Sequence, residues 1–100
     1  MNIKKFNLQQ NLKLALEFIG KRNFSDAINL YRKIIEIDPN NFEANMNLGT
    51  IFAQRDDLEE AIKLWKKAIE INPNDHGVHN NLGLSYVRTG ENDKAIKYLE

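Results

Sequence analysis

The tightest constraint in this sequence is a spacing. Its two prolines, Pro39 and Pro73, stand 34 positions apart, and the residues around them repeat. With the prolines superimposed, NLYRKIIEIDPNNFEANMNLGTIF lies over KLWKKAIEINPNDHGVHNNLGLSY. The matched pairs include Ile35/Ile69, Ile37/Ile71, Asn40/Asn74, Leu48/Leu82, Gly49/Gly83 and Phe52/Tyr86. Upstream residues join the same register as Leu14/Leu48, Ala15/Gly49, Phe18/Phe52 and Tyr31/Trp65, and Ala27, Ala61 and Ala95 form a threefold set. A period of this size marks a supersecondary unit that buries its apolar face by stacking on copies of itself.

Each unit carries two apolar stretches. In the middle one, Met46, Leu48, Ile51 and Phe52 form the first, and Ala61, Leu64, Trp65, Ala68, Ile69 and Ile71 belong to the second. Steps of three and four residues put these side chains on one face of an α-helix, where a strand would alternate. Asp38-Pro39-Asn40-Asn41 and Asn72-Pro73-Asn74-Asp75 punctuate the chain between units. Lys21-Arg22-Asn23, Arg55-Asp56-Asp57 and Thr89-Gly90-Glu91-Asn92 do so within them, with Gly90 suited to a left-handed helix end. Helices are expected over about 8–20, 24–37, 42–54, 58–71, 76–89 and 92–100. Gly49 and Gly83, with Ala15 at their register, mark places where a first helix closely approaches its partner, since glycine inside a helix otherwise only weakens it.

One hundred residues suffice for one domain. A lead-in over residues 1–7 precedes a single domain over 8–100, divided into units 8–41, 42–75 and an incomplete 76–100. Fourteen basic and fourteen acidic residues cancel. That balance points away from nucleic acid and membrane surfaces as partners, which both call for a cationic excess. Charge is uneven along the chain, net +3 over 1–41 and net −3 over 42–75, an arrangement suited to orienting a partner or to head-to-tail contacts between chains. Cysteine is absent, in keeping with a reducing compartment. Polar residues from Asn7 to Lys13 break up any secretory signal, and no run approaches the roughly 20 apolar residues of a membrane span. Cytoplasm is the expected location.

Catalytic patterns are missing. There is neither a glycine-rich phosphate loop nor a nucleophile elbow. Asp75, His76 and His79 imitate a metal site, yet a stable shell needs three or four ligands in fixed geometry, and these residues fit a turn and a helix opening better. No enzyme activity, metal or cofactor is expected.

The repeating residues resemble the tetratricopeptide repeat family. The middle unit supplies Leu48-Gly49, Phe52, Ala61, Trp65, Ala68 and Pro73; the third supplies Leu82-Gly83, Tyr86, Ala95 and Leu99. The first supplies Leu14-Ala15, Phe18, Ala27, Tyr31 and Pro39, with Ile34 where a small alanine is usual. Asn11, Asn45 and His79 replace the large aromatic that opens the family's unit, which makes that contact more polar. The resemblance implies an all-α fold: antiparallel helix pairs stacked as a right-handed superhelix, an α–α solenoid of about two and three-quarter repeats.

It also implies that the first helix of each pair lines a concave groove for a protein or peptide. Carried over by register, the partner-binding positions are Leu12 and Leu16 in the first unit and Met46, Asn47 and Thr50 in the second. Asn80, Asn81, Leu84 and Arg88 follow in the third. Asn47 and Asn81 are equivalent, and an amide there can pair with a bound backbone. Leu12 and Leu16 stand out as binding candidates because Leu14, Ala15 and Phe18 already supply the packed stripe. Leu12, Leu16 and Gly77 lack the clamp side chains of relatives that grip a C-terminal carboxylate, which argues against a chaperone-tail receptor. Two functions compete: a peptide-binding scaffold acting through the groove, and an assembly module joining copies through the ends of the stack. Ile96 and Leu99 lack a following turn, so the expectation is either a natural chain that continues past Glu100 or self-association through that end.

Overall fold

The computed structural model describes residues 7–99, which form six helices and no strand. These are α1 (Leu8–Gly20), α2 (Phe24–Ile37), α3 (Phe42–Gln54), α4 (Leu58–Ile71), α5 (His76–Arg88) and α6 (Asn92–Leu99). The first four occupy the expected spans, and α5 closes one residue sooner than expected. Of the lead-in, only Asn7 lies within the described residues, and Glu100, expected to end the last helix, lies outside them.

Short polar side chains start the helices. Asn7, Asn41, Asp57 and Asp75 each accept a hydrogen bond from the backbone N–H three residues on, those of Gln10, Ala44, Glu60 and Val78. Each such cap satisfies a donor the helix itself leaves open, worth about 1 kcal/mol relative to alanine.

The turns inside the pairs share one backbone solution. Arg22, Asp56 and Gly90 have φ of 59°, 64° and 81°. The next N–H, of Asn23, Asp57 and Glu91, reaches back to the carbonyl of Phe18, Phe52 and Tyr86, each at 2.8 Å. This is the left-handed helix closure expected at Gly90. Arg22 and Asp56 adopt it with a side chain present, at a steric cost of roughly 1–2 kcal/mol that the closing bonds offset.

Paired helices run antiparallel, α1 with α2, α3 with α4 and α5 with α6, and each pair stacks on the next through α2–α3 and α4–α5. Because extensive contacts join only successive helices, the molecule is drawn out to 47 × 26 × 17 Å. The core is a line of large residues meeting small ones. Tyr31, Trp65 and Tyr86 are buried, as are Ala15, Ala27, Ala61, Ala68 and Ala95. Gly49 is where α3 meets Trp65: a Cβ there would fall 2.6 Å from the indole Nε1. At Gly83 the added atom would strike Leu99.

Two leucines of α1 exchange the roles expected of them. Leu14 is 40% exposed, whereas Leu12 is 5% exposed and belongs to the core. Leu48 and Leu82, at the register of Leu14, are buried, each lying on a helix with a described pair before it. Position 14 has no such neighbour among the described residues, and its leucine stays in solvent.

The polar unit-opening residues have a structural task. Asn45, 2% exposed, donates to the carbonyls of Asn41 at 2.8 Å and Pro39 at 3.2 Å. His79 Nε2 lies 2.7 Å from the carbonyl of Pro73. That oxygen can only accept, so Nε2 carries the proton. Asn11 does the same locally, donating to Asn7 O at 2.7 Å. At Asn45 and His79 the aromatic contact is replaced by a bond that fastens the inter-pair turn to the following helix.

Candidate functional site

The first helices α1, α3 and α5 repeat the same face at 34-residue intervals, so the candidate residues fall into rows across the stack. Leu16, Thr50 and Leu84 make one row. Both leucines are 49% exposed. Thr50 between them is half-buried and gives its hydroxyl to Met46 O at 3.1 Å, so its polar group is engaged within its own helix. The row is therefore apolar along its length.

Lys13, Asn47 and Asn81 form the neighbouring row, and its two asparagines are not alike. Asn47 Nδ2 donates to Tyr31 Oη at 3.1 Å, across the seam between the first and second pairs. At the register of Tyr31 the next seam has Trp65, whose indole can only donate and does so to Met46 O at 3.1 Å. Among the described residues the Asn81 side chain makes no hydrogen bond, and its amide remains half-buried. Burial raises the pKa of the Tyr31 phenol, the nearby Glu43 adds to the rise, and the bond from Asn47 partly opposes it.

The other candidates are dispersed. Leu12 is withdrawn into the core, so the row it was to share with Met46 and Asn80 is broken. Met46 is half-buried and its carbonyl is occupied by Trp65 and Thr50, while Asn80 is exposed. Arg88 is tied down: its Nη2 donates to Asp56 Oδ1 at 2.6 Å, joining the end of α5 to the turn between α3 and α4. Both partners are more than half exposed, so the pair is weak in energy but fixes the guanidinium. Sequence reasoning overlooked Asp56; 32 residues separate it from Arg88, and only the turn geometry brings them together.

At the far end, Glu91 accepts from Lys94 Nζ at 3.0 Å and from Thr89 Oγ1 at 2.9 Å. Lys94 first, then Thr89, holds this carboxyl below its ordinary range, and the same contact raises Lys94. Val87, Ile96 and Leu99 lie exposed there at 48%, 55% and 45%. With Asn92 and Ala95 they line a cavity of about 350 Å³.

Asp75, His76 and His79 do not converge, and among the described residues no group of three or more His, Asp or Glu could hold a metal ion. None of the described helices is long and apolar enough to cross a membrane.

Three family models match the chain in succession: tetratricopeptide repeat over residues 11–41, tetratricopeptide repeat over 30–63 and TPR repeat over 49–90. No curated protein matches the sequence significantly. Among solved structures, a crystal structure of MamA aligns with a TM-score of 0.87 at 23% identity, covering 92% of this chain and 54% of that one. MamA MSR-1 aligns at 0.80 with 27% identity over 92% and 53%. MamA AMB-1 aligns at 0.83 with 27% identity over 92% and 50%. The chain thus spans about half the length of these MamA chains. The repeat architecture that these matches describe is a scaffold for protein interaction, and the chain belongs to the tetratricopeptide repeat family.

Proposed function

We propose that this chain is a structural assembly module whose stacking surface takes up a second copy. One observation carries the reading. Register positions that are covered in the first two pairs are open in the third: Tyr31 and Trp65 are 0% and 4% exposed, and Leu99, their equivalent, is 45% exposed. Ile28 is 6% exposed against 55% for Ile96. This face has the shape that receives the next pair elsewhere in the stack. Leu14, at the register of the buried Leu48, offers the complementary surface at the other end. Copies joined in this way make a head-to-tail contact, which grows into rings or filaments.

Light scattering across a wide concentration range tests the proposal. The expected result is mass that grows with concentration in the wild type, and an Ile96→Glu variant that keeps its helicity but stays small. A wild-type protein that remains strictly monomeric throughout would overturn it.

The apolar row of Leu16, Thr50 and Leu84 favours a second reading, a groove for an apolar segment of another protein. Asn81 would then supply the amide that holds the bound backbone, since Asn47 is engaged by Tyr31. Asn81→Ala and Leu84→Asp should weaken capture of a verified partner with helicity intact. Unchanged affinity in both would remove the groove from consideration.

A further inference from the structure

The edge of the stack where paired helices turn carries a feature that neither reading uses. Two grooves of about 450 Å³ each meet there at Arg55, between the first and second pairs. One runs past Arg32, Phe52 and Asp57, the other past Arg22, Phe24 and Gln54. We propose that this double groove docks an extended acidic peptide segment of a partner protein.

The argument is one of uncompensated charge. At the next seam, the positions equivalent to Arg22 and Gln54 are Asp56 and Arg88, which neutralise each other at 2.6 Å. Here the same two places hold an arginine and an amide. Arg55 replaces Thr89 at its register, and adds a third guanidinium to Arg22 and Arg32. Among the described residues none of the three makes an ion pair. The neighbouring Asp56 is already held by Arg88, which leaves Asp57 as the acid that lines the grooves.

The guanidinium groups are also placed in advance. Arg22 lies over the Phe24 ring and Arg32 over the Phe52 ring, each 5.5 Å from the centroid. A guanidinium resting on an aromatic face loses less freedom when it binds, and its planar fork suits a carboxylate. Successive cations along a groove match the spaced carboxylates of an extended chain rather than one small anion. Asn29, also on the groove wall, can bond to a peptide backbone.

Fluorescence anisotropy with a labelled decaglutamate peptide tests this. The wild type should bind it, and raising salt from about 50 to about 300 mM should weaken binding several-fold. A double variant, Arg32→Gln with Arg55→Gln, should lose roughly tenfold or more in affinity with an unchanged circular dichroism spectrum. Lys97→Gln, on α6 and outside both grooves, should bind as the wild type does. An absence of binding by the wild type, or equal binding by the double variant, would overturn the proposal. Equally good competition by inorganic phosphate would reduce the groove to a simple anion site, and tighter binding of a uridine oligonucleotide would assign it to nucleic acid; either result defeats the peptide.

Discussion

Between the first and second pairs, Tyr31 meets Asn47 of the following pair from inside the core; between the second and third, Trp65 turns its N–H back onto Met46 of its own pair. The second seam is instead tied at its rim, by Arg88 and Asp56. The two seams share an apolar frame and the clasp of the turn by Asn45 or His79, and differ in the side-chain tie beyond it. The comparison separates two tasks. Large residues against small ones set the spacing of the pairs, and the polar atom on each large ring decides whether it binds its own pair or the next. A tie made in the interior is little affected by salt, whereas one at the rim is screened.

The sharpest way to break this comparison is to remove the frame. Trp65→Ala should cost about 3–5 kcal/mol in urea unfolding, since it empties a fully packed site. Leu99→Ala, at the same register on the open face, should cost far less; equal losses would show that the third pair is covered in solution.

Glycine substitutions sharpen the same point. Gly49→Ala forces a methyl against the buried indole and should cost about 1–3 kcal/mol. Gly83→Ala meets only Leu99, a flexible side chain 45% exposed, and should be close to neutral because alanine also favours the helix. Thermal melts of the two variants measured side by side decide it.

The interior tie is probed by Tyr31→Phe, with an expected loss of about 0.5–1.5 kcal/mol at neutral pH. The pKa of Tyr31 in the fold lies above its ordinary 10.0, so the native state favours the neutral phenol. Its contribution is complete below pH 10 and is lost as pH rises through the native value. Wild type should therefore lose stability more steeply than Tyr31→Phe as pH rises from 10 through the native value. Parallel curves would contradict the assignment.

The rim tie should matter least. Arg88→Gln is expected to cost about 0.2–1 kcal/mol at low salt, and the difference from wild type should fade as salt is added.

Much of this frame was legible in the residues. The prolines, Leu-Gly pairs and alanines gave period, helices and close approaches, because each marks a local backbone or volume requirement. What escaped depended on contacts that no local spacing announces. Leu12 and Leu14 were exchanged because a register does not say whether a helix lies on both sides of a position. Arg22 and Asp56 carry no glycine to announce a left-handed backbone; the closing hydrogen bonds impose it. Asn47 looked free because its partner, Tyr31, lies 16 residues back in another unit. The apolar row through Leu16, Thr50 and Leu84 follows from period alone, but Thr50 counts as apolar only once its hydroxyl is seen bonded to Met46.

The bonds from Asn45 to Pro39 and from His79 to Pro73 have a mechanical consequence. They clasp each connecting turn to the helix that follows, so a linker moves with the body after it instead of acting as a hinge. Tension along the stack is then delivered to the greasy seams. Such a molecule gives way by shedding whole hairpins, and resists stretching until one of them lets go.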